Sequence, residues 1–75
     1  MQTYANRGGD SGVRAFEIGP GFIRVQFSDG SVYRYTDASA GAHHIQSMKE
    51  LAQQGQGLNS YINRNVRQGY EEKER

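Results

Sequence analysis

Between Val13 and Thr36 the side chains alternate between apolar and polar, and two turn-forming triplets, Gly19-Pro-Gly21 and Ser28-Asp-Gly30, break the alternation. A period of two describes a strand with one face buried, and the triplets cut the run into three such strands. Phe16 and Ile18 share one face of the first, with Ala15 and Glu17 on the other. Ile23, Val25 and Phe27 share one face of the second, opposite Arg24 and Gln26; Ser31 to Thr36 make the third. The second turn decides the register. A two-residue Asp-Gly loop would put Tyr33 and Tyr35 on the face of Arg24 and Gln26. A three-residue Ser-Asp-Gly loop, with Gly30 left-handed, pairs Val25 with Tyr33 and Ile23 with Tyr35. Burial of one face favours the second register, which gathers the apolar and aromatic side chains together. It also sets Arg24 opposite Arg34 on the other face, a repulsive pair unless Glu17 or a bound phosphate relieves it.

The remaining chain supplies a cover for that face. Thr36-Asp37 is a natural helix start, and Ile45, Met48 and Ala52, with Leu51 flanking, recur at helical spacing through Ala38 to Gln54. Gly55-Gln-Gly57 ends this helix, and a second runs from Leu58 to Gln68 with Leu58, Tyr61, Ile62 and Val66 on one side. The expected fold is α+β: a three-stranded antiparallel β-meander followed by two α-helices packed on one face of the sheet. Residues 1–12 read as a flexible lead-in, 13–70 as a single domain and 71–75 as a charged tail. The chain has 75 residues, five Tyr, three Phe and no Cys, so packing alone must hold it, with an expected stability of about 3–5 kcal/mol. No apolar run approaches a membrane span, and the N-terminus lacks the apolar core of a signal peptide, so the expected compartment is the cytoplasm.

The chemistry offered is limited. His43 and His44 are neighbours on a helix, point about 100° apart and cannot chelate one ion together, so no metal is expected. No nucleophile elbow, P-loop, HExxH or paired-carboxylate spacing is present, and no catalytic residue or cofactor is assigned. One Arg-Gly-Gly near the N-terminus does not make an RNA-binding tract. Tyr33 and Tyr35 could form a base-stacking platform, but the chosen register places both in the core. The net charge is +1, and from Gly55 to Tyr70 there is no acid at all. The polar side of the last helix carries Ser60, Asn63, Arg64 and Arg67, which reads either as a solvated face or as a surface for phosphates. Gly55 and Gly57, before a helix start, read either as a plain connection or as a phosphate-contact loop.

Tyr33-Arg-Tyr35 after an Asp-Gly hairpin, then Gly57-Leu-Asn59, Ile62 and a closing Tyr70, resemble the KTSC domain, over roughly Gly12 to Tyr70. That family is named for a C-terminal extension of some lysyl-tRNA synthetases and also occurs as small free-standing bacterial proteins. Where many members carry Val-Pro soon after the Tyr-x-Tyr, this chain has Asp37-Ala-Ser-Ala-Gly41. The resemblance implies a strand-rich start, a helical end and, through the synthetase connection, RNA binding; it implies no catalytic residues. The expectation is an accessory module for tRNA or other structured RNA, not an enzyme, binding weakly through Arg24, Arg34, Asn63, Arg64 and Arg67. The alternative is a protein-interaction or self-association module using an open edge of the first or third strand. A monomer is expected, with a weak dimer as the variant of the second reading.

Overall fold

The central hairpin takes the register that buries one face. In the computed structural model, which describes residues 1–7 and 12–75, β3 (Phe22–Phe27) pairs with β4 (Val32–Thr36) so that Val25 faces Tyr33 and Ile23 faces Tyr35. The three-residue loop turns through Gly30 at φ +91°, a conformation open to glycine, and Ser31 N–H bonds back to Asp29 Oδ1 at 3.0 Å. β2 (Val13–Gly19) runs antiparallel on the other side of β3, with Glu17 opposite Arg24. A bulge between Val13 and Ala15 shifts the phase of β2. Val13 and Phe16, three residues apart, therefore both enter the core, at 3% and 2% exposure, which unbroken alternation would forbid.

Among the described residues the sheet has five strands, not the three that alternation reveals. β1 (Gln2–Thr3) pairs with β2, and β5 (Tyr70–Lys73) pairs with β4, giving the antiparallel order β1-β2-β3-β4-β5. Both added strands lie at edges and carry mostly exposed side chains, so their pairing rests on backbone hydrogen bonds that no apolar pattern announces. The tail expected over 71–75 thus begins as sheet, and it continues past β5 with Glu74 N–H donating to Val32 O at 2.7 Å. Of the lead-in expected over 1–12, residues 8–11 lie outside the described residues. Before them, Tyr4 is 3% exposed and donates its N–H to Arg14 O at 2.9 Å.

Among the described residues the helices number three rather than two. α1 (Asp37–Ala40) starts at Thr36, where a capping box joins Thr36 and Ser39 reciprocally. Gly41 then separates it from α2 (Ala42–Gln54), and α3 (Leu58–Asn65) ends before Arg67 and Gln68, which stand in the following turn. Ile45, Met48 and Ala52 from α2 and Leu58 and Ile62 from α3 pack with Phe16, Ile23, Val25 and Tyr35 of the sheet in one core. The helices therefore lie on the face the register buries, and the Arg24–Arg34 face is turned away from them.

Candidate nucleic-acid interface

On that outer face the cross-strand arginines stand opposite one another as expected, and carboxylates of the same chain meet them. Arg24 donates from Nη1 to Glu17 Oε1, from Nη2 to Glu74 Oε1 at 2.6 Å and from Nε to Glu74 Oε1 at 3.1 Å. These bonds, first from Glu74 and then from Glu17, hold the Arg24 guanidinium still more firmly protonated. The same Arg24 bonds hold the Glu74 carboxyl below the usual carboxylate range. Arg34 lies 3.8 Å from Glu71 and 3.4 Å from Glu74 Oε2. The second approach lacks hydrogen-bond alignment, so Arg34 Nε is buried without an acceptor despite its neighbouring charge. Above it, the guanidinium stacks 5.5 Å from the Phe22 ring centre. The repulsion is thus relieved from within the chain: Glu17 does part of it, and the C-terminal glutamates do the rest.

The glycine loop is built into the fold. Gly55 caps α2 at φ +76°, is buried, and donates its N–H to Leu51 O and Ala52 O. Its carbonyl accepts Arg7 N–H at 2.7 Å, and a Cβ placed on it would lie 2.4 Å from that of Ala5. Gly57 is exposed and precedes α3, but the first amide of that helix, Leu58 N–H, already donates to the Tyr4 hydroxyl at 3.2 Å. The loop is thereby occupied on one side by the chain's own N-terminal segment. His44 Nδ1 lies 2.6 Å from the Tyr61 hydroxyl, joining α2 to α3, and His43 is exposed beside it. Among the described residues, no group of three or more His, Cys, Asp or Glu side chains could hold a metal ion, and no helix is long and apolar enough to cross a membrane.

The last helix and its turn border an open cleft of about 440 Å³. One wall is aromatic and comes from the sheet: Phe27, Tyr33, Tyr35 and Tyr70. Tyr33 packs edge-to-face against both Phe27 and Tyr70, with ring centres 5.6 and 4.8 Å apart. The wall from α3 and the turn after it is mostly polar: Asn59, Asn63, Arg67 and Gln68, with Ile62 between them. The hairpin closes one end with Asp29 and Ser31, whose bonds to each other depress the Asp29 pKa, the Ser31 hydroxyl at 2.7 Å most of all. Tyr35, at 2% exposure, forms the floor, and burial raises the pKa of its hydroxyl.

Of the residues singled out by sequence, Asn63 and Arg67 meet in this cleft. Arg64 lies exposed on the same helix outside the lining, and Arg24 and Arg34 are on the far side of the sheet. Tyr33 and Tyr35, weighed from sequence as a stacking platform and set aside as core, line the cleft, whereas Asn59, Phe27 and Tyr70 were not singled out as site residues. Asn59 stands four residues before Asn63, one helical turn, and that spacing was a usable signal. Tyr70 gave none, since its place depends on β5. No family model, no curated protein and no solved structure matches the chain.

Proposed function

We propose that this chain is a non-catalytic accessory module of the cytoplasm that binds structured RNA weakly through α3 and the cleft beneath it. The observation that carries this is the meeting of Asn63 and Arg67 with an aromatic wall in one solvent-open cleft. Stacking surfaces beside amides and a guanidinium are what unpaired RNA bases and their phosphates require. Support also comes from charge: α3 contains no acid, and Arg64 and Arg67 are exposed. The resemblance to the KTSC domain points the same way. Arg24 and Arg34 take a lesser part in this reading, because Glu17, Glu71 and Glu74 already meet them.

A self-association module is the less supported reading. Its motive was a bare edge on the first or third strand of the meander, and β1 and β5 occupy those edges.

The test is an amide-resolved NMR titration with a mixed bacterial tRNA pool at low and at high salt. Shifts should cluster on Asn63, Arg64 and Arg67. With two or three phosphate contacts, affinity should fall roughly 10- to 40-fold between about 50 and 200 mM salt. Arg64→Ala with Arg67→Ala should weaken binding and flatten that dependence without unfolding the domain. No shifts at low salt, or unchanged affinity in the double variant, would sink the proposal.

A further inference from the structure

The cleft walls differ in chemistry, and their pairing narrows what could lie between them. A lipid chain would leave Asn59, Asn63 and Arg67 facing hydrocarbon. Phe27, Tyr33 and Tyr70 give a planar heterocycle an aromatic wall, with the Lys73 ammonium 5.7 Å from the Tyr33 ring centre, and Asn59 and Asn63 bring amides that can both donate and accept. The volume, about 440 Å³, lies within the roughly 300–1,000 Å³ usual for small-ligand clefts. At the hairpin end Asp29 adds a group that only accepts when ionised. Its Oδ1 takes both Ser31 bonds, which leaves Oδ2 as the acceptor for a ligand donor.

Resting on the RNA-binding reading above, we propose that this cleft seats one unstacked base of single-stranded RNA and prefers a base bearing an exocyclic amino group. Asn59 and Asn63 address the base edge, Asp29 accepts from the amino group, the tyrosine rings supply the stacking wall and Arg67 holds the adjoining phosphate. Adenine, cytosine and guanine carry such an amino donor; uracil has none, and its single imide N–H is flanked on both sides by carbonyl oxygens that a carboxylate repels. The other clusters offer less. The outer-face arginines are matched by carboxylates, and among the described residues His43 and His44 belong to no group of three side chains that could hold a metal ion.

The experiment compares hexanucleotides of adenylate, cytidylate and uridylate by NMR titration and fluorescence anisotropy at low salt. The adenylate and cytidylate oligomers should bind about tenfold or more tighter than uridylate, the range that one matched base contact supplies. Their shifts should fall on Tyr33, Asn59, Asn63 and Tyr70. Asn63→Ala, at an exposed position, should lower affinity for all three. Asp29→Asn keeps an Oδ1 for the Ser31 bonds and should erase the preference while leaving the fold intact, as an unchanged amide spectrum of the hairpin would show. Equal binding of the three oligomers, with shifts confined to Arg64 and its exposed neighbours, would overturn the base site and leave the RNA reading standing. Binding of neither the hexamers nor the tRNA pool would overturn both.

Discussion

Tyr4 shows how much one hydroxyl can hold. It lies 54 residues before Leu58 in the chain, yet its ring is in the core and its oxygen accepts the Leu58 N–H. An amide at a helix start has no intrahelical acceptor, and Leu58 is fully buried, so water cannot replace the tyrosine. Tyr4→Phe keeps the ring and deletes only the acceptor. The expected cost is about 1–2 kcal/mol, the penalty for an orphaned buried donor, measured by urea denaturation against the parent chain. No loss would mean that the helix start finds another partner. Nothing near Tyr4 in sequence hints at this role. Its neighbours are Thr3 and Ala5, and the partner is fixed only once α2 and α3 have packed. The core residues of the meander are the opposite case: Ile23, Val25 and Tyr35 follow from alternation and the length of one turn, and Tyr33, on the same face, is partly buried beside them. In the cleft, Asn63 and Arg67 were legible as polar residues on an apolar helix's outer side, whereas the ring of Tyr70 became part of it only through a strand that no pattern marks.

At the scale of elements, β5 is a strand held by charge as well as by its ladder. The buried-face strands reveal themselves because each must place apolar groups inward at every second position. An edge strand needs only backbone partners, and Glu71, Glu72 and Lys73 are what protects such an edge from pairing with another chain. Two of the acids that made residues 71–75 look like a solvated tail, Glu71 and Glu74, are the ones that engage Arg24 and Arg34. Glu74→Gln should therefore destabilise the domain by about 0.5–1 kcal/mol at neutral pH, the upper part of the range for partly exposed ion pairs. The folded Glu74 carboxyl binds its proton less readily than the unfolded one, so its contribution is present above the unfolded value of about 4.3. It is lost as the pH falls through the lower folded value. The difference between the parent and Glu74→Gln should accordingly shrink toward zero under acid conditions. Urea denaturation of both chains at neutral and at acid pH and low salt measures it, and a difference independent of pH would assign the effect to packing instead.

Taken as a whole, the molecule separates its charges by face. The outer side of the sheet sets Arg24 and Arg34 among Glu17, Glu71 and Glu74, while the α3 side keeps Arg64 and Arg67 exposed with Asp29 at one end of the cleft. A net charge of +1 conceals this division. Between the two faces lies a core that relies on tyrosine, and this gives the whole fold a weakness to alkali. Tyr35 is 2% exposed, and its burial disfavours the phenolate, raising the pKa above the ordinary value of about 10. In the unfolded chain the same phenol ionises near that ordinary value. Above it the unfolded state binds fewer protons than the folded one, so stability is complete at lower pH and falls as the pH rises. The loss should approach about 1.4 kcal/mol for each pH unit beyond about 10, until Tyr35 titrates in the fold. For a domain with about 3–5 kcal/mol in reserve, that is enough to bring unfolding within reach at strongly alkaline pH. Tyr35→Phe fills the same core space without an ionisable group and should flatten the alkaline limb. Denaturation midpoints of the two chains across that range, read together with phenolate absorbance, provide the check. Parallel curves would show that alkali acts elsewhere, and a phenolate appearing before unfolding would show that Tyr35 is not sealed from water by the helices above it.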